Sequence, residues 1–149
     1  MYYTIGQVSK MFNLPISTLR YYDKEGLLPN LKRRGSIRQF DDDDLETLNV
    51  IECLKISGLE IKDIKQFMAW CAEGSATYGK RLEMFKERKK QIEEEKARLA
   101  RVEAMINFKC WYYTTALENG NEEGIKEMLP NNLPKEIQEY YNLGHNITD

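Results

Sequence analysis

Hydroxyl-bearing and cationic side chains are concentrated in the stretch from residue 15 to residue 40. At helical spacing, Ile16, Leu19 and Tyr22 fall on one face and are expected to meet a hydrophobic core. The other face, and the basic segment that follows it, carry groups able to bond phosphates and base edges. These candidate contact residues are Ser17, Thr18, Arg20, Tyr21, Lys24, Arg33, Arg34 and Arg38. Such a set predicts a surface that binds duplex DNA.

Two elements must position these side chains. The apolar spacing predicts a helix over residues 16–25, ended by Gly26 at the place of a left-handed cap. Downstream, Gly35-Ser36 separates two strand-like arms and predicts a small β-hairpin, or wing. An earlier helix begins at a capping box of Thr4 and Gln7. Its predicted buried residues are Ile5, Val8, Met11 and Phe12. Two helices joined by a short turn and followed by a basic wing predict a winged helix-turn-helix, whose second helix enters the major groove.

Charge is distributed unevenly along the 149 residues. The net charge is only −2, yet residues 1–40 hold seven Lys or Arg against two acids, and the remainder is acidic. A basic head on an acidic body is typical of a DNA-binding protein whose other half has a different task. No apolar run reaches the roughly 18 residues of a membrane span, and the N-terminus lacks a signal-peptide pattern. The sequence therefore predicts a cytoplasmic protein with no membrane partner.

The run T-L-R-Y-Y-D-K-E-G-L-L-P, from Thr18 to Pro29, is followed by R-x-x-x-R-x-F, from Arg34 to Phe40. Together these motifs resemble the signature of the MerR family of transcription regulators, and the similarity extends from Tyr3 to about residue 113. The family usually has tyrosine at the last position of the second motif, and the phenylalanine found here keeps a ring for the core. By this resemblance, the residues that hold the DNA backbone are Arg20, Tyr21 and Arg38.

The resemblance also implies how the protein acts. Members of the family are homodimers that bind pseudo-palindromic operator DNA within a promoter. They bend and untwist the DNA between the −35 and −10 elements, which lets RNA polymerase engage both. A signal biases the dimer between two shapes, and the deformation of the DNA reads the difference.

From about Thr77 to Asn119 the chain contains no proline, and an apolar residue recurs at every seventh position. These residues are Phe85, Ile92, Leu99, Ile106 and Tyr113. A long helix with one narrow apolar stripe needs a partner to be stable. The resemblance implies antiparallel pairing with its copy as a coiled coil, whereas the periodicity alone leaves the orientation open. The predicted organisation is mostly α-helical, with a winged helix-turn-helix domain at 1–75, a dimerisation helix at 76–119, and a tail at 120–149 that folds back.

Other kinds of chemistry find little support in the sequence. The acid run from Asp41 to Asp44 is expected to open a helix, with Asp41 as its N-cap, rather than to bind a metal. The three cysteines are widely spaced and the single histidine is His145, so neither a metal site nor a disulfide framework is predicted. Metal-sensing relatives carry cysteines at the start of the long helix and in the loop after it, and this chain has none there. No catalytic set converges, so the sequence predicts no enzyme and no cofactor.

Three hypotheses for a signal stay open. The segments 51–59, 73–82 and 106–113 resemble a branch of the family that responds to aldehydes and other electrophiles. In that branch a lone cysteine at the position of Cys53 is the proposed sensing thiol, and the alternative is that Cys53 is a small buried residue. The second hypothesis is a reversible aromatic or cationic effector, and the third is a DNA-binding protein that needs no ligand. The candidate effector pocket consists of Trp70, Phe108, Trp111 and Tyr112, which would equally serve to pack the helix and tail.

Overall fold

The computed structural model describes residues 1–145, so residues 146–149 of the predicted tail lie outside the described part. The chain is mostly α-helical with one small sheet, and the predicted fold class is confirmed. Its elements are α1 (Ile5–Phe12), α2 (Ile16–Lys24), β1 (Lys32–Arg34), β2 (Ile37–Gln39), α3 (Asp42–Ile56), α4 (Ile61–Glu73), a 3₁₀ turn (Ser75–Thr77), α5 (Tyr78–Asn119), α6 (Glu123–Met128) and α7 (Lys135–Gly144). Two compact units are formed, Met1–Arg88 and the part from Lys89 onward. None of the helices within residues 1–145 is long and apolar enough to cross a membrane.

The α1–turn–α2 motif follows from local signals. Thr4 Oγ1 accepts a hydrogen bond from the Gln7 backbone N–H at 3.1 Å, and Gln7 Oε1 accepts one from the Thr4 N–H at 2.8 Å. This confirms the predicted capping box. At the other end of α1, Asn13 has a φ of 52°, a left-handed conformation that asparagine adopts more readily than most residues. Pro15 then takes the N-cap position of α2, so the second helix starts within one short turn of the first.

The core of the first unit fills the space between α1, α2, α3 and α4. Its fully buried residues include Val8, Leu19, Tyr22, Phe40, Leu48, Ile51 and Ile64. Met11 and Ile16 are 55% and 37% exposed, so the prediction that they are buried is wrong. A step of three residues turns a helix back by about 60°. Met11 therefore lies about 120° from Ile5, and Ile16 about 120° from Tyr22, each at the edge of its apolar face.

The wing is joined to the backbone of Tyr3, just before α1. β1 and β2 pair antiparallel, with Arg33 opposite Arg38. Just after β2, the Phe40 N–H donates to the Tyr3 carbonyl at 3.0 Å, and the Tyr3 N–H donates to the Phe40 carbonyl at 2.7 Å. The Phe40 ring is fully buried, which agrees with the core role expected for it. These bonds fix the base of the wing beside α1 and α3.

The acid run opens α3, as the sequence predicts. Asp41 Oδ1 accepts a hydrogen bond from the Asp44 N–H at 3.0 Å, and Asp44 Oδ2 accepts one from the Asp41 N–H at 2.9 Å. The bond from the Asp44 backbone, and then that from Lys32, hold the pKa of Asp41 below its usual value. Burial raises the pKa of Asp44. Because the two carboxylates occupy N–H groups that the helix end leaves unpaired, they act as caps.

The second unit is built on the C-terminal part of α5. Side chains of α6 and α7 pack with it around a core made by Phe108, Tyr112, Ile125 and Leu133. At the end of α7, a Cβ on Gly144 would lie 3.0 Å from the Met105 Cα, a distance so short that a larger residue would require one of the two backbones to shift by a few tenths of an ångström. The tail, as far as it is described, therefore folds back onto the long helix of its own chain.

Candidate nucleic-acid interface

A concave surface of about 440 Å³ lies between α2 and the wing. Its lining residues are Ser17, Arg20, Tyr21, Asp23, Lys24, Arg33 and Arg38. Four of these side chains are cationic and one is acidic, so the surface has a net positive charge. All the contact residues predicted from the sequence line it, except Thr18 and Arg34. The fold thus brings residues from two separate elements onto one basic, open face.

The polar face of α2 is exposed because the apolar face of the helix packs against the core. Leu19 and Tyr22 are buried against the core. The Tyr22 hydroxyl donates to Glu52 on α3 at 2.8 Å and accepts a hydrogen bond from Lys55 Nζ at 2.7 Å. Burial, and then the bond to Glu52, raise the pKa of Tyr22, so this hydroxyl stays protonated and keeps donating at physiological pH. On the opposite face Ser17, Arg20, Tyr21 and Lys24 are exposed.

Asp23 lines the same surface, and the sequence prediction did not include it. Its Oδ2 atom accepts hydrogen bonds from Arg33 Nη2 and from Arg38 Nε, each at 2.7 Å. Arg33 and Arg38 are directly opposite in the hairpin, where two like charges repel. The single carboxylate relieves this repulsion and connects the wing to α2. In the sequence, the only hint of such a role is that Asp23 lies in a segment where cations outnumber acids.

The two arginines also determine the charge state of Asp23. Burial alone would raise the pKa of this carboxyl group, but the hydrogen bonds from Arg38 and Arg33 outweigh burial and lower the pKa below its usual value. Asp23 is therefore ionised throughout the physiological range. The remaining guanidinium N–H groups stay available to an anion, since each arginine has five donors.

Replacing Asp23 with asparagine is expected to lower the free energy of unfolding near pH 7 by about 1 kcal/mol, because two charged hydrogen bonds weaken and Arg33 is half exposed. The pKa of Asp23 is lower in the folded state than in the unfolded state. The stabilisation that its carboxylate provides is therefore complete above about pH 3.9, the usual pKa of aspartate, and is lost as the pH falls through the folded-state pKa. Urea unfolding at about pH 7 and about pH 3 measures it. A difference between the two proteins that does not shrink at the lower pH would contradict the assignment.

The hairpin distinguishes Arg33 from Arg34. Successive side chains of a strand point to opposite faces. Arg33 pairs with Asp23 and lines the concave surface, whereas Arg34 lies opposite Ile37 beside the turn. Of these two, Arg33 is placed for contact next to α2. Thr18 is partly buried on α2 and is not part of the lining.

The candidate sensor residues are placed differently from one another. Cys53 is exposed on α3, so the structure does not support the alternative that it fills the core. Its neighbours in sequence, Glu52 and Lys55, are the two residues that bond the Tyr22 hydroxyl. Cys71 and Cys110 are exposed as well. Within the part of the chain that the structure describes, no cluster of His, Cys, Asp and Glu is suited to hold a metal ion.

The proposed effector aromatics belong to two different units. Phe108 and Tyr112 are buried in the second unit, and Trp111 packs against their cluster. The Phe108 ring meets that of Tyr141 edge-on, with centroids 5.1 Å apart, so the tail occupies the space above it. Trp70 lies on α4 in the first unit. An effector bound at Phe108 and Tyr112 would have to displace the tail.

Comparison with known proteins identifies the family. The model of the MerR helix-turn-helix family of regulatory proteins matches residues 3–70. An uncharacterised HTH-type transcriptional regulator of Haemophilus influenzae is 35% identical over 136 residues, covering 91% of this chain and 96% of the relative. The regulator AdhR of Bacillus subtilis is 34% identical over 91 residues, 60% of this chain and 65% of AdhR.

A solved structure agrees with these similarities. HiNmlR, described as a MerR family regulator that lacks the sensor domain and solved bound to promoter DNA, superposes with a TM-score of 0.65 at 35% identity. The match covers 90% of this chain and 98% of HiNmlR. The chain belongs to the MerR family of helix-turn-helix transcription regulators. Since these relatives are transcription regulators, the prediction that the chain is not an enzyme is confirmed.

Proposed function

We propose that the chain binds double-stranded operator DNA as a homodimer and regulates transcription by deforming a promoter. The observation that carries this proposal is the basic concave surface between α2 and the wing. α2 is of the size that enters a major groove, and a wing beside it reaches the neighbouring phosphates. The DNA-bound state of the related HiNmlR supports the same partner here.

The side chains of the concave surface fall into two groups according to the part of the DNA that they can contact. Ser17, in the first turn of α2 and at the concave surface, has a short hydroxyl group suited to base edges. Arg20 and Tyr21 on the helix, and Arg38 on the wing, are suited to phosphate oxygens. Lys24 and Arg33 add positive charge along the same face. Under this division, the arginines give affinity and the start of α2 gives sequence preference.

The dimer is supported by the exposed stripe of α5. Its heptad residues, Phe85, Ile92, Leu99, Ile106 and Tyr113, are all exposed in the single chain. Leu99 lies near the midpoint of the helix, with Ile92 and Ile106 at equal spacing on either side. A stripe with this symmetry matches its own copy in the antiparallel direction, with Leu99 facing Leu99 on the twofold axis. Such a dimer would present two α2 helices to the two halves of an operator.

Binding to a selected site tests this function. Duplexes that bind the protein are selected from a random library over several rounds. The affinity for the selected sequence is then compared by gel shift with the affinity for a scrambled duplex. The proposal predicts a pseudo-palindromic site bound at least about 1,000-fold more tightly than the scrambled DNA. In vitro transcription from a promoter carrying the site, with RNA polymerase, then measures regulation. Failure to enrich any sequence would contradict the proposal.

For the signal, we propose that an aldehyde reacts with Cys53. The thiol sulfur adds to the carbonyl carbon and the thiol proton ends on the aldehyde oxygen, so the reaction needs no oxidant. Exposure of Cys53 supports this chemistry. An adduct there would lie on α3, the helix whose Glu52 and Lys55 bond the Tyr22 hydroxyl of α2. A shift of α3 caused by the adduct would thereby reach the DNA-binding helix.

Replacing Cys53 with alanine is expected to leave operator affinity within about twofold, because an exposed substitution away from the interface changes little. Induction by formaldehyde or methylglyoxal in transcription assays should be lost. Cys110→Ala, which removes an exposed thiol from the second unit, is the matched control and should respond like the wild type. A Cys53→Ala protein that still responds would contradict the thiol hypothesis, and would favour a reversible effector at Phe108, Trp111 and Tyr112.

A further inference from the structure

Two arginines in the first turns of α5 bond the C-terminal ends of two helices in the first unit. Arg88 Nε donates to the Ser57 carbonyl, just beyond the last residue of α3, at 2.6 Å. Arg81 Nη2 donates to the Gly74 carbonyl, just beyond α4, at 2.9 Å. Helix C-termini carry partial negative charge and carbonyls without helical partners, so they favour cations. Each arginine therefore acts as a charged cap on a helix that precedes α5.

Gly58 makes room for the Arg88 guanidinium. A Cβ at this position would lie 2.7 Å from the Arg88 Cζ atom, which is closer than any real contact. The φ of Gly58 is 84°, a second and independent reason for glycine here. The planar guanidinium thus lies against the bare backbone at the end of α3 while it bonds the Ser57 carbonyl. A lysine ammonium has no such plane, so it would reproduce the contact only in part.

A ring contact lies between the two arginines. Phe85 of α5 meets Phe67 of α4 edge-on, with ring centroids 5.6 Å apart. Arg81, Phe85 and Arg88 are spaced by four and then three residues, which puts them on one face of α5. Charged caps at both ends of this row, with an apolar contact in the middle, resist both tilting and sliding of α5 against α3 and α4.

We propose that Arg88 is a positioning residue that fixes the direction of α5 against α3, and thereby the half-site spacing that the dimer accepts. This inference rests on the proposed dimeric DNA-binding function. α3 also holds α2 through Tyr22, so the Arg88 contact connects the dimerisation helix to the DNA-binding helix by way of one rigid element. A dimer with a fixed α5 direction demands one spacing, whereas a loosened one accommodates several.

The test compares operators that differ only in spacing. The selected operator and versions with one base pair added or removed at its centre are titrated with wild type, Arg88→Ala, Arg88→Lys and Lys90→Ala, the last being a nearby exposed cation on α5. Wild type and Lys90→Ala should lose about tenfold or more in affinity on the altered spacings, since DNA must twist or bend to fit. Arg88→Ala should lose less than about threefold, with Arg88→Lys between them.

A second variant moves the guanidinium without removing it. Gly58→Ala places a methyl group where Arg88 lies and should show the same spacing tolerance as Arg88→Ala. Gly120→Ala introduces the same positive-φ strain in open space and should discriminate like the wild type. Arg88→Ala and Gly58→Ala proteins that lose affinity equally for every spacing, or keep full discrimination, would overturn the proposal. A wild type that selects no operator would instead contradict the proposed function itself.

Discussion

Replacing Leu99 with glutamate is expected to convert the dimer into monomers and to weaken operator binding by at least about 100-fold. Leu99 is 55% exposed in the single chain, so the substitution should disturb the packing of the protomer little. In the proposed dimer it faces its own copy, and two carboxylates there would be buried side by side. Without the dimer the two heads bind their half-sites independently and lose the roughly 10²- to 10⁴-fold gain of bivalent binding. Analytical ultracentrifugation and fluorescence anisotropy measure the two effects.

Ala97→Glu serves as the control for this substitution. Ala97 is exposed on the same part of α5 but lies about 200° around the helix from Leu99. The Ala97→Glu substitution introduces the same charge as Leu99→Glu and should leave both dimerisation and DNA affinity unchanged. If Leu99→Glu remained a dimer, the stripe would not be the interface. If Ala97→Glu became a monomer, the effect would be one of net charge rather than of position.

Replacing Arg20 with alanine should weaken operator binding by about 10- to 100-fold, because one phosphate contact is lost in each protomer. Arg20 is exposed on α2 at the concave surface, so the fold should be unaffected. The dependence of the affinity on salt concentration tests this assignment most sharply. The slope of log affinity against log salt should fall by about 2, since each lost phosphate contact removes close to one released counterion.

Lys10 provides the matched control for Arg20. It is an exposed cation at the end of α1 and is absent from the lining of the concave surface. Lys10→Ala should leave the salt slope within about 0.5 of the wild-type value, because it removes charge without removing a phosphate contact. Equal losses of slope in the two variants would mean that binding follows net charge, and would contradict the assignment of Arg20.

Local sequence signals explain most of the first unit. The capping box at Thr4, the left-handed turn after α1 and the apolar face of α2 depend on residues close together in the chain. Such patterns fix which face of α2 is exposed, and hence most of the basic surface. The errors at Met11 and Ile16 arise because periodicity locates the centre of an apolar face better than its edge.

The contacts that organise the site were harder to predict because they join distant residues. In the sequence, Asp23 is simply another charged residue on a helix. Its role becomes visible only in the fold, where the hairpin places Arg33 and Arg38 next to it. In the sequence, Arg88 is one of many charged residues on the long helix, and its partner, Ser57, lies 31 residues away. In both cases the sequence supplies the charge, and only the fold supplies its partner.

Hydroxyl-radical footprinting of the wild-type protein on its selected operator would show whether a dimer binds DNA through α2 and the wing. We expect two protected patches related by a twofold axis, separated by about one or more turns of the duplex, with cleavage retained between them. Loss of phosphate protection in each patch with Arg20→Ala would assign the contact to α2. A single continuous patch, or protection that does not depend on Arg20, would contradict a dimer that binds through α2 and the wing.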